Sequence, residues 1–334
     1  MNDVLVAVVG AGYWGPNLIR NFSLIPHVSI KAVCDSDGAR LLPLKKTYPS
    51  LTTTTHFSEI LQDAEISLVA IATPPHTHFL LAKQALLAGK HVMVEKPLTK
   101  TVAEAKELIR IAKRKHLQIF CGHTYVYHAA VKKMQQLLRK KSLGKTYYYE
   151  SMRANLGIIQ NDANVIWDLA PHDFSILRAL FTAKPVAIRA VANRYVHTTQ
   201  EEVAHVFVRF ADHVTAHMYF SWLSPLKIRT VMIAGSKKML LFDQQDPIEQ
   251  LRVYDKGVSI SASKSQAFRS RYRYGDITVP ALEETEALYN ELVHFTDCVR
   301  KNKKPLTGGE EGLEVVKMLV AADISQRTGK EVLL

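Results

Sequence analysis

Val4-Leu-Val-Ala-Val-Val-Gly-Ala-Gly-Tyr-Trp-Gly15 is an apolar run of strand length that ends in glycines at positions 10, 12 and 15 and leads into a helical pattern. Each glycine meets a steric demand. Gly10 lets the chain turn out of the strand, Gly12 lets backbone approach a pyrophosphate, and Gly15 lets the helix pack close on the strand. The helix start then offers N–H groups and the positive end of its dipole to an anion. G-x-G-x-x-G alone is weak evidence, because glycines also punctuate ordinary turns. Here a second apolar run, residues 29–34, follows and ends in Asp35, about twenty residues beyond the glycines, where a carboxylate accepts the ribose hydroxyls of a dinucleotide. That acid repels a 2′-phosphate, so NAD is expected over NADP. Ser36 and Asp37 bring no arginine to hold the phosphate, although Arg40 is close in sequence.

Outward from this motif, residues 4–122 alternate strand-length apolar runs with amphipathic helix-length stretches. Run 66–72 precedes helix 78–87, run 91–94 precedes helix 102–115, and run 118–122 closes the series. This is the βαβ pattern of a doubly wound parallel sheet, which binds ligands at the C-terminal strand ends. After a helix at 129–139 the pattern changes to strands at 186–194, 202–210, 214–222, 228–234 and 239–242, read as an open antiparallel sheet. Helices return at 283–299 and 310–326, and the turn-rich stretch 256–276 reads as an exposed loop. The expectation is an α/β protein with a Rossmann dinucleotide-binding domain over 1–122 and an α+β domain over 123–334.

The chain has 334 residues, 47% hydrophobic and 22% charged, enough for two cores. No apolar run nears the ~20 residues that span a bilayer, and the N-terminus does not read as a signal peptide, so a cytoplasmic protein without membrane partners is expected. Cys34, Cys121 and Cys298 lack C-x-x-C spacing and suggest neither disulfides nor zinc; the first two read as buried strand residues. The net charge of +12 favours anionic ligands. Its clusters, 113–115 and 139–141, fall at helix C-termini, where cations complement the dipole, and no basic stripe with interleaved aromatics points to nucleic acid.

Two further groups carry chemistry. Strand 91–94 ends in Glu95-Lys96-Pro97, which puts a lysine at the cofactor edge of the sheet. Its ammonium either stabilises an oxyanion as a substrate hydroxyl loses its proton, or pairs with Glu95 at a loop. The isomer of the Lys96–Pro97 bond is open at this point. Downstream, Trp167-Asp-Leu-Ala-Pro-His-Asp173 opens an apolar stretch that puts Asp168 and His172 one helical turn apart on one face. Three readings stand: an acid–base pair in which the carboxylate orients the imidazole, a helix start capped by Asp168 beside a core histidine, or a metal pair. No third ligand falls at a suitable spacing, and no metal is expected.

Together, the Gly10–Gly15 motif, Thr73-Pro-Pro-His-Thr-His78, Ala88-Gly-Lys-His-Val-Met-Val-Glu-Lys-Pro97 and Asp168-x-x-x-His172 resemble the glucose-fructose oxidoreductase / inositol dehydrogenase family, Gfo/Idh/MocA. The resemblance covers nearly the whole chain. It implies that Lys96, Asp168 and His172 form a catalytic trio. It also implies that Gly10, Gly12, Tyr13, Trp14, Gly15, Asp35, Thr73, Pro74, His78, Glu95 and Lys96 belong to the cofactor site. A second domain with an open, mainly antiparallel sheet is implied, often the interface of a homodimer or homotetramer. Trp-Asp-Leu-Ala-Pro-His departs from the usual Asp-x-Gly-x-His wording, though the four-residue spacing survives. A narrower similarity, through Gly122-His-Thr-Tyr-Val-Tyr127, Arg153-Ala-Asn-Leu-Gly157 and residues 161–173, is to members that oxidise C3 of UDP-N-acetylglucosamine or its uronate ahead of a transamination. It implies substrate contacts from His123, Tyr125, Arg153 and Asn155. The expected activity is NAD-dependent oxidation of a secondary hydroxyl of such a nucleotide sugar. Alternatives are an NAD-requiring glycoside hydrolase, an inositol or other sugar dehydrogenase, and a non-catalytic NAD-binding regulator. The last has no use for Lys96, Asp168 and His172.

Overall fold

A computed structural model describes residues 3–157, 159–160, 162–196, 199–261 and 269–334. The chain divides into two compact units, Met1–His128 with Thr285–Lys317, and Ala129–Glu284 with Met318–Leu334. The first boundary lies close to the expected 122/123 division. Residues 285–317, expected in the second domain, belong instead to the first unit.

The first unit holds a parallel sheet of β1 (Val4–Val9), β2 (Val28–Cys34), β3 (Thr52–Thr54), β4 (Leu68–Ile71), β5 (His91–Glu95) and β6 (Ile119–Gly122), in the order β3-β2-β1-β4-β5-β6. Strands β1, β4 and β6 are buried along nearly their whole length, as a sheet covered on both faces requires. The order reverses between β1 and β4, so the loops after these strands diverge there and leave a place for a ligand. Crossover helices α1 (Gly15–Phe22), α2 (Leu41–Thr47), α3 (Phe57–Gln62), α4 (Pro75–Leu87) and α5 (Val102–Arg114) connect the strands. A capping box starts α5: the Thr101 side chain accepts from the Glu104 amide while the Glu104 carboxylate accepts from the Thr101 amide. Lys113 and Arg114 occupy the last turn of α5, and Lys115 donates to the carbonyl of Leu87 at the end of α4 (2.8 Å). The basic cluster thus serves helix ends, as expected.

Helix α8 (Ala287–Lys301) completes this core, with Phe295 stacked on Phe120 at a centroid distance of 4.3 Å. Arg20 of α1 holds Glu286, just before α8, through two hydrogen bonds. These long-range contacts, absent from any local pattern, bring residues 285–317 back to the first unit. Helix α9 (Gly309–Thr328) runs through the change of unit at Lys317/Met318.

The second unit contains α6 (Ala129–Arg139), β7 (Thr146–Leu156), α7 (Val165–Leu180), and strands β8 (Pro185–Asn193), β9 (Val203–Phe210), β10 (Thr215–Ser221), β11 (Leu223–Gly235), β12 (Met239–Asp243), β13 (Leu251–Ser261), β14 (Arg269–Thr278) and β15 (Val332–Leu333). The sheet order is β14-β13-β12-β11-β7-β10-β9-β8-β15. Neighbours are antiparallel except β7 and β10, which run parallel with Tyr148 opposite Thr215. In β9 burial alternates residue by residue, so one face packs inward and the other does not.

Two expectations change. The stretch 256–276, read as a loop, is largely a hairpin of β13 and β14; residues 262–268 of that expectation lie outside the described ones. Residues 271–278 are exposed on both faces, so the pairing leaves no apolar alternation in the sequence. Strand β7, unforeseen, is central to the sheet.

Candidate active site

The dinucleotide motif takes the geometry its glycines require. Gly10 has φ +100°, and a Cβ there would lie 2.5 Å from the carbonyl oxygen of Ala72, at the end of β4. A Cβ at Gly15 would overlap the Gly10 carbonyl. At Gly12 the nearest atom to such a Cβ is Arg40 Nη1, 3.5 Å away, so this peptide is open to a ligand. No side chain caps α1, and its first turn has no acidic residue to compete with an anion. Asp35, at the end of β2, is buried. Its Oδ2 accepts from the Ala11 amide (2.7 Å) and its Oδ1 from the Asp37 amide (2.9 Å). The acid therefore braces the glycine turn, at the strand end where the ribose of a dinucleotide would lie. These residues fit NAD: an uncapped helix start for the pyrophosphate, and a carboxylate for the ribose.

Two loops are tied together beside this turn. His78, on α4, has no exposed surface, and its ring nitrogens lie 2.8 Å from the carbonyls of Thr73 and Pro97. A neutral imidazole donates to only one of the two. Burial lowers the pKa of His78, against the raising effect of both carbonyls. Expected in the cofactor site, His78 is buried between the two carbonyls, donates to one of them and ties the loops together. Thr73 caps no helix but exchanges a 2.7 Å hydrogen bond with Thr77, and Pro74 leads into α4.

The Lys96–Pro97 bond is cis. Glu95, before it, accepts from Trp14 Nε1 at 2.6 Å, a link from the glycine turn to the Glu-Lys-Pro loop. Burial pushes the Glu95 carboxyl up to about 7, with the Trp14 bond and the Lys96 charge opposing the rise. Tyr13, beside Trp14, is 89% exposed.

In the second unit, α7 carries both Asp168 and His172, one turn apart and each partly exposed among buried neighbours. The helix is capped by Asn164, whose side chain accepts from the Trp167 amide at 3.1 Å. The cap reading for Asp168 therefore falls: Asp168 sits inside the first turn, and its Oδ2 accepts from Trp222 Nε1 at 3.1 Å. Pro171 lies within the helix and is buried.

The expected substrate contacts fare differently. Arg153 is buried on β7 and its Nε donates to Asp173 Oδ2 at 2.8 Å, so an internal carboxylate takes the role foreseen for a substrate anion. His123 is 1% exposed, and neither ring nitrogen has a hydrogen-bond partner among the described residues; burial and then the Lys96 charge lower its pKa to about 3. Tyr125 stacks with His128 and keeps partial exposure, as does Asn155 on β7. Sequence reasoning missed Trp222, Asp173 and Glu291, whose partners are distant in the chain and leave no local signal. All three thiols are free and buried, and burial raises Cys34 to about 11. Among the described residues no cluster of His, Cys, Asp or Glu has the makings of a metal site, and no helix is long and apolar enough to cross a membrane.

Comparison with known proteins agrees with this geometry. Residues 4–123 match the oxidoreductase family GFO_IDH_MocA, with its NAD-binding Rossmann fold, and residues 131–241 match the GFO/IDH/MocA C-terminal domain. UDP-N-acetylglucosamine 3-dehydrogenase of Acidithiobacillus ferrooxidans is 27% identical over 350 aligned positions, covering 100% of this chain and 99% of its own. The crystal structure of the enzyme of that name and organism, GnnA, superposes with a TM-score of 0.80 at 24% identity, over 98% of this chain and 99% of the other. An oxidoreductase from Agrobacterium radiobacter, solved with NAD+, L-tartaric acid and magnesium, gives a TM-score of 0.85 at 16% identity, over 99% and 98%. These structural likenesses establish the shared fold.

Proposed function

We propose, from the premise that this chain belongs to the Gfo/Idh/MocA family of NAD-binding oxidoreductases, that it oxidises a secondary hydroxyl of a sugar: C3 of UDP-N-acetylglucosamine or its uronate, giving a 3-oxo sugar. The observation that carries the chemistry is the one-turn spacing of Asp168 and His172 on α7, with Trp222 holding the carboxylate. The choice of sugar is supported by the full-length similarity to a UDP-N-acetylglucosamine 3-dehydrogenase.

In this reading His172 takes the hydroxyl proton as general base, and Asp168 orients the imidazole and stabilises its charged form. Lys96 donates a hydrogen bond to the same oxygen and steadies the developing alkoxide. The Gly10–Gly15 turn and Asp35 hold NAD, with Trp14 and Glu95 joining that turn to the lysine loop. When bound, NAD supplies the hydride acceptor. Asp35 favours it over NADP.

The test is incubation with NAD and a panel of UDP-hexoses, UDP-hexuronates, inositols and sugar phosphates, with an aminotransferase to draw off the keto product. NADH formation with a UDP-sugar is expected. His172→Ala should still bind NAD while turnover drops by roughly 10² to 10⁴ fold, the effect of losing a general base. Free sugar without net NADH would point to a glycoside hydrolase, and undiminished turnover in the variant would remove the role of His172.

A further inference from the structure

We propose that the groove between α5 and the start of α9 is a second anion site, one that takes the diphosphate of a small molecule such as a nucleoside diphosphate. All of its residues belong to the first unit, and it stands whether or not the sugar reading above holds. Helix α5 runs back from the sheet edge that carries the glycine turn, so a groove along its C-terminal half lies away from that turn.

A cavity of about 580 Å³ opens there, with Lys106, Arg110, Lys113 and Arg114 on its α5 wall and Ile109 and Leu313 as its apolar lining. Glu310 is the single acid of that lining. A Cβ at Gly309 would stand 2.9 Å from Ile109 Cγ1, so the glycine lets α9 begin against α5. Positions 106, 110 and 114 recur every four residues and 113 falls beside them, so the four cations share one face of the helix. Side chains at that spacing are about 6 Å apart at Cβ, and like charges there repel and weaken the helix.

The fold gives this row little in return. A helix dipole favours cations in the last turn, which accounts for Lys113 and Arg114 but not for Arg110, one turn further in, or Lys106, two turns further in. The acids of α5 are engaged elsewhere: Glu104 in the capping box, and Glu107 with Lys83 of α4 at 2.8 Å, the Arg110 charge being the least of the effects on the Glu107 carboxyl. Lys106, Arg110 and Arg114 form no ion pair among the described residues. Glu310 is shared by Lys113 at 2.9 Å and Lys304 at 3.7 Å, and its place in the first turn of α9 suits the dipole of that helix. The groove thus sets four cations against one carboxylate.

That excess selects an anion with two or more charges. Arg110 has Lys113 and Arg114 as neighbours three and four residues on, so one diphosphate meets three cations, and each guanidinium fork takes two oxygens. The bounded volume is that of a small-molecule site, and the row ends with the helix, whereas a nucleic-acid strand needs a stripe that continues. Leu313 and the edge of Ile109 offer the apolar surface on which a nucleoside would lie, a surface that inorganic pyrophosphate leaves unused.

Titration of the NAD-saturated protein at physiological ionic strength with uridine diphosphate, inorganic pyrophosphate and uridine tests the site, read by methyl NMR at Ile109 and Leu313. Uridine diphosphate should give saturable shifts at both residues with a dissociation constant below about 1 mM, and uridine none. The pyrophosphate arm tells the sources apart: tighter binding of the nucleotide assigns the apolar side to a nucleoside, and equal binding assigns the site to the inorganic ion. Lys106→Gln with Arg110→Gln should lower the affinity by about tenfold or more while NAD binding holds, and the variant should fold at least as stably as the wild type because like-charge repulsion is relieved. Glu310→Gln, which removes the single acid, should raise the affinity severalfold, a gain that damage to the fold does not produce. Shifts that never saturate, uridine matching uridine diphosphate, or equal affinity in the wild type and both variants would overturn the site. Uridine diphosphate held only at the proposed sugar site would leave these methyls unmoved and overturn it too, as would saturable binding of an oligonucleotide or an acidic peptide but of neither diphosphate.

Discussion

Arg153 of β7 and Asp173 of α7 form a buried ion pair, Nε to Oδ2 at 2.8 Å, with side chains 5% and 1% exposed. Tyr149, also on β7, donates to the other oxygen of Asp173 at 3.3 Å. The pair therefore fastens to the sheet the helix that carries Asp168 and His172. Asp173→Asn keeps the shape but removes the carboxylate charge that faces the guanidinium, a loss of about 3–5 kcal/mol when a buried pair is broken. Urea unfolding should show a lowered midpoint. An unchanged midpoint would mean that other groups carry the arginine's charge.

Trp222 donates to Asp168 from a side chain 1% exposed, a rigid mount for the carboxylate proposed to orient His172. Trp222→Phe removes the N–H donor and retains most of the volume. Hydrogen bonds to charged groups contribute about 1.5–3 kcal/mol, so turnover should fall roughly tenfold to a hundredfold while NAD affinity holds. Steady-state kinetics beside a binding titration separate the two quantities, and equal losses in both would point to general damage.

Asp35 braces the glycine turn and faces the ribose position, with Arg40 Nη1 3.9 Å from its Oδ2. Asp35→Ser should weaken NAD by about tenfold or more, from lost charge-assisted hydrogen bonds, and should narrow the gap to NADP because Arg40 is released toward a 2′-phosphate. Dissociation constants for both cofactors, measured by fluorescence titration, check this. A parallel loss for the two would show that the acid does not discriminate between them.

His123 makes a pH prediction. Its folded pKa, about 3, lies below the unfolded value of 6.5. Above pH 6.5 both states are neutral there and its contribution is complete. Between about pH 6.5 and 3 the unfolded chain binds a proton that the folded chain refuses, so stability falls with pH by up to about 1.4 kcal/mol per unit. The raised carboxyls Glu95 and Glu291 act in the opposite direction, which makes a difference measurement necessary. The stability of His123→Phe relative to wild type should rise steadily as the pH drops through this window. A difference independent of pH would mean that the imidazole protonates as readily in the folded chain.

Local pattern was enough for the Rossmann strands and for the residues on which the proposed chemistry rests. A glycine turn, a strand-terminal acid and a lysine after a strand are short-range features, and α/β crossovers repeat them in order along the chain. The same holds for Asp168 and His172, since four-residue spacing on a helix is a property of the helix alone. Strand β7 escaped notice because it carries a charged residue on its buried face: Arg153 reads as surface until Asp173 is known to meet it. The β13–β14 hairpin escaped because an edge exposed on both faces shows no apolar alternation.

By itself, then, the order of residues determined the fold class, the cofactor turn and the residue types available for acid–base work, all of which depend on backbone periodicity and on neighbours within a few positions. Tertiary structure alone decided which polar groups are consumed internally. Arg153 went to Asp173, His78 to a place between two carbonyls, and Asp168 received Trp222, while Glu291 received Thr124 from 167 residues away. The physical reason is burial. A charge or ring nitrogen removed from water must find its partner wherever packing brings one, and packing is set by contacts that no local stretch encodes.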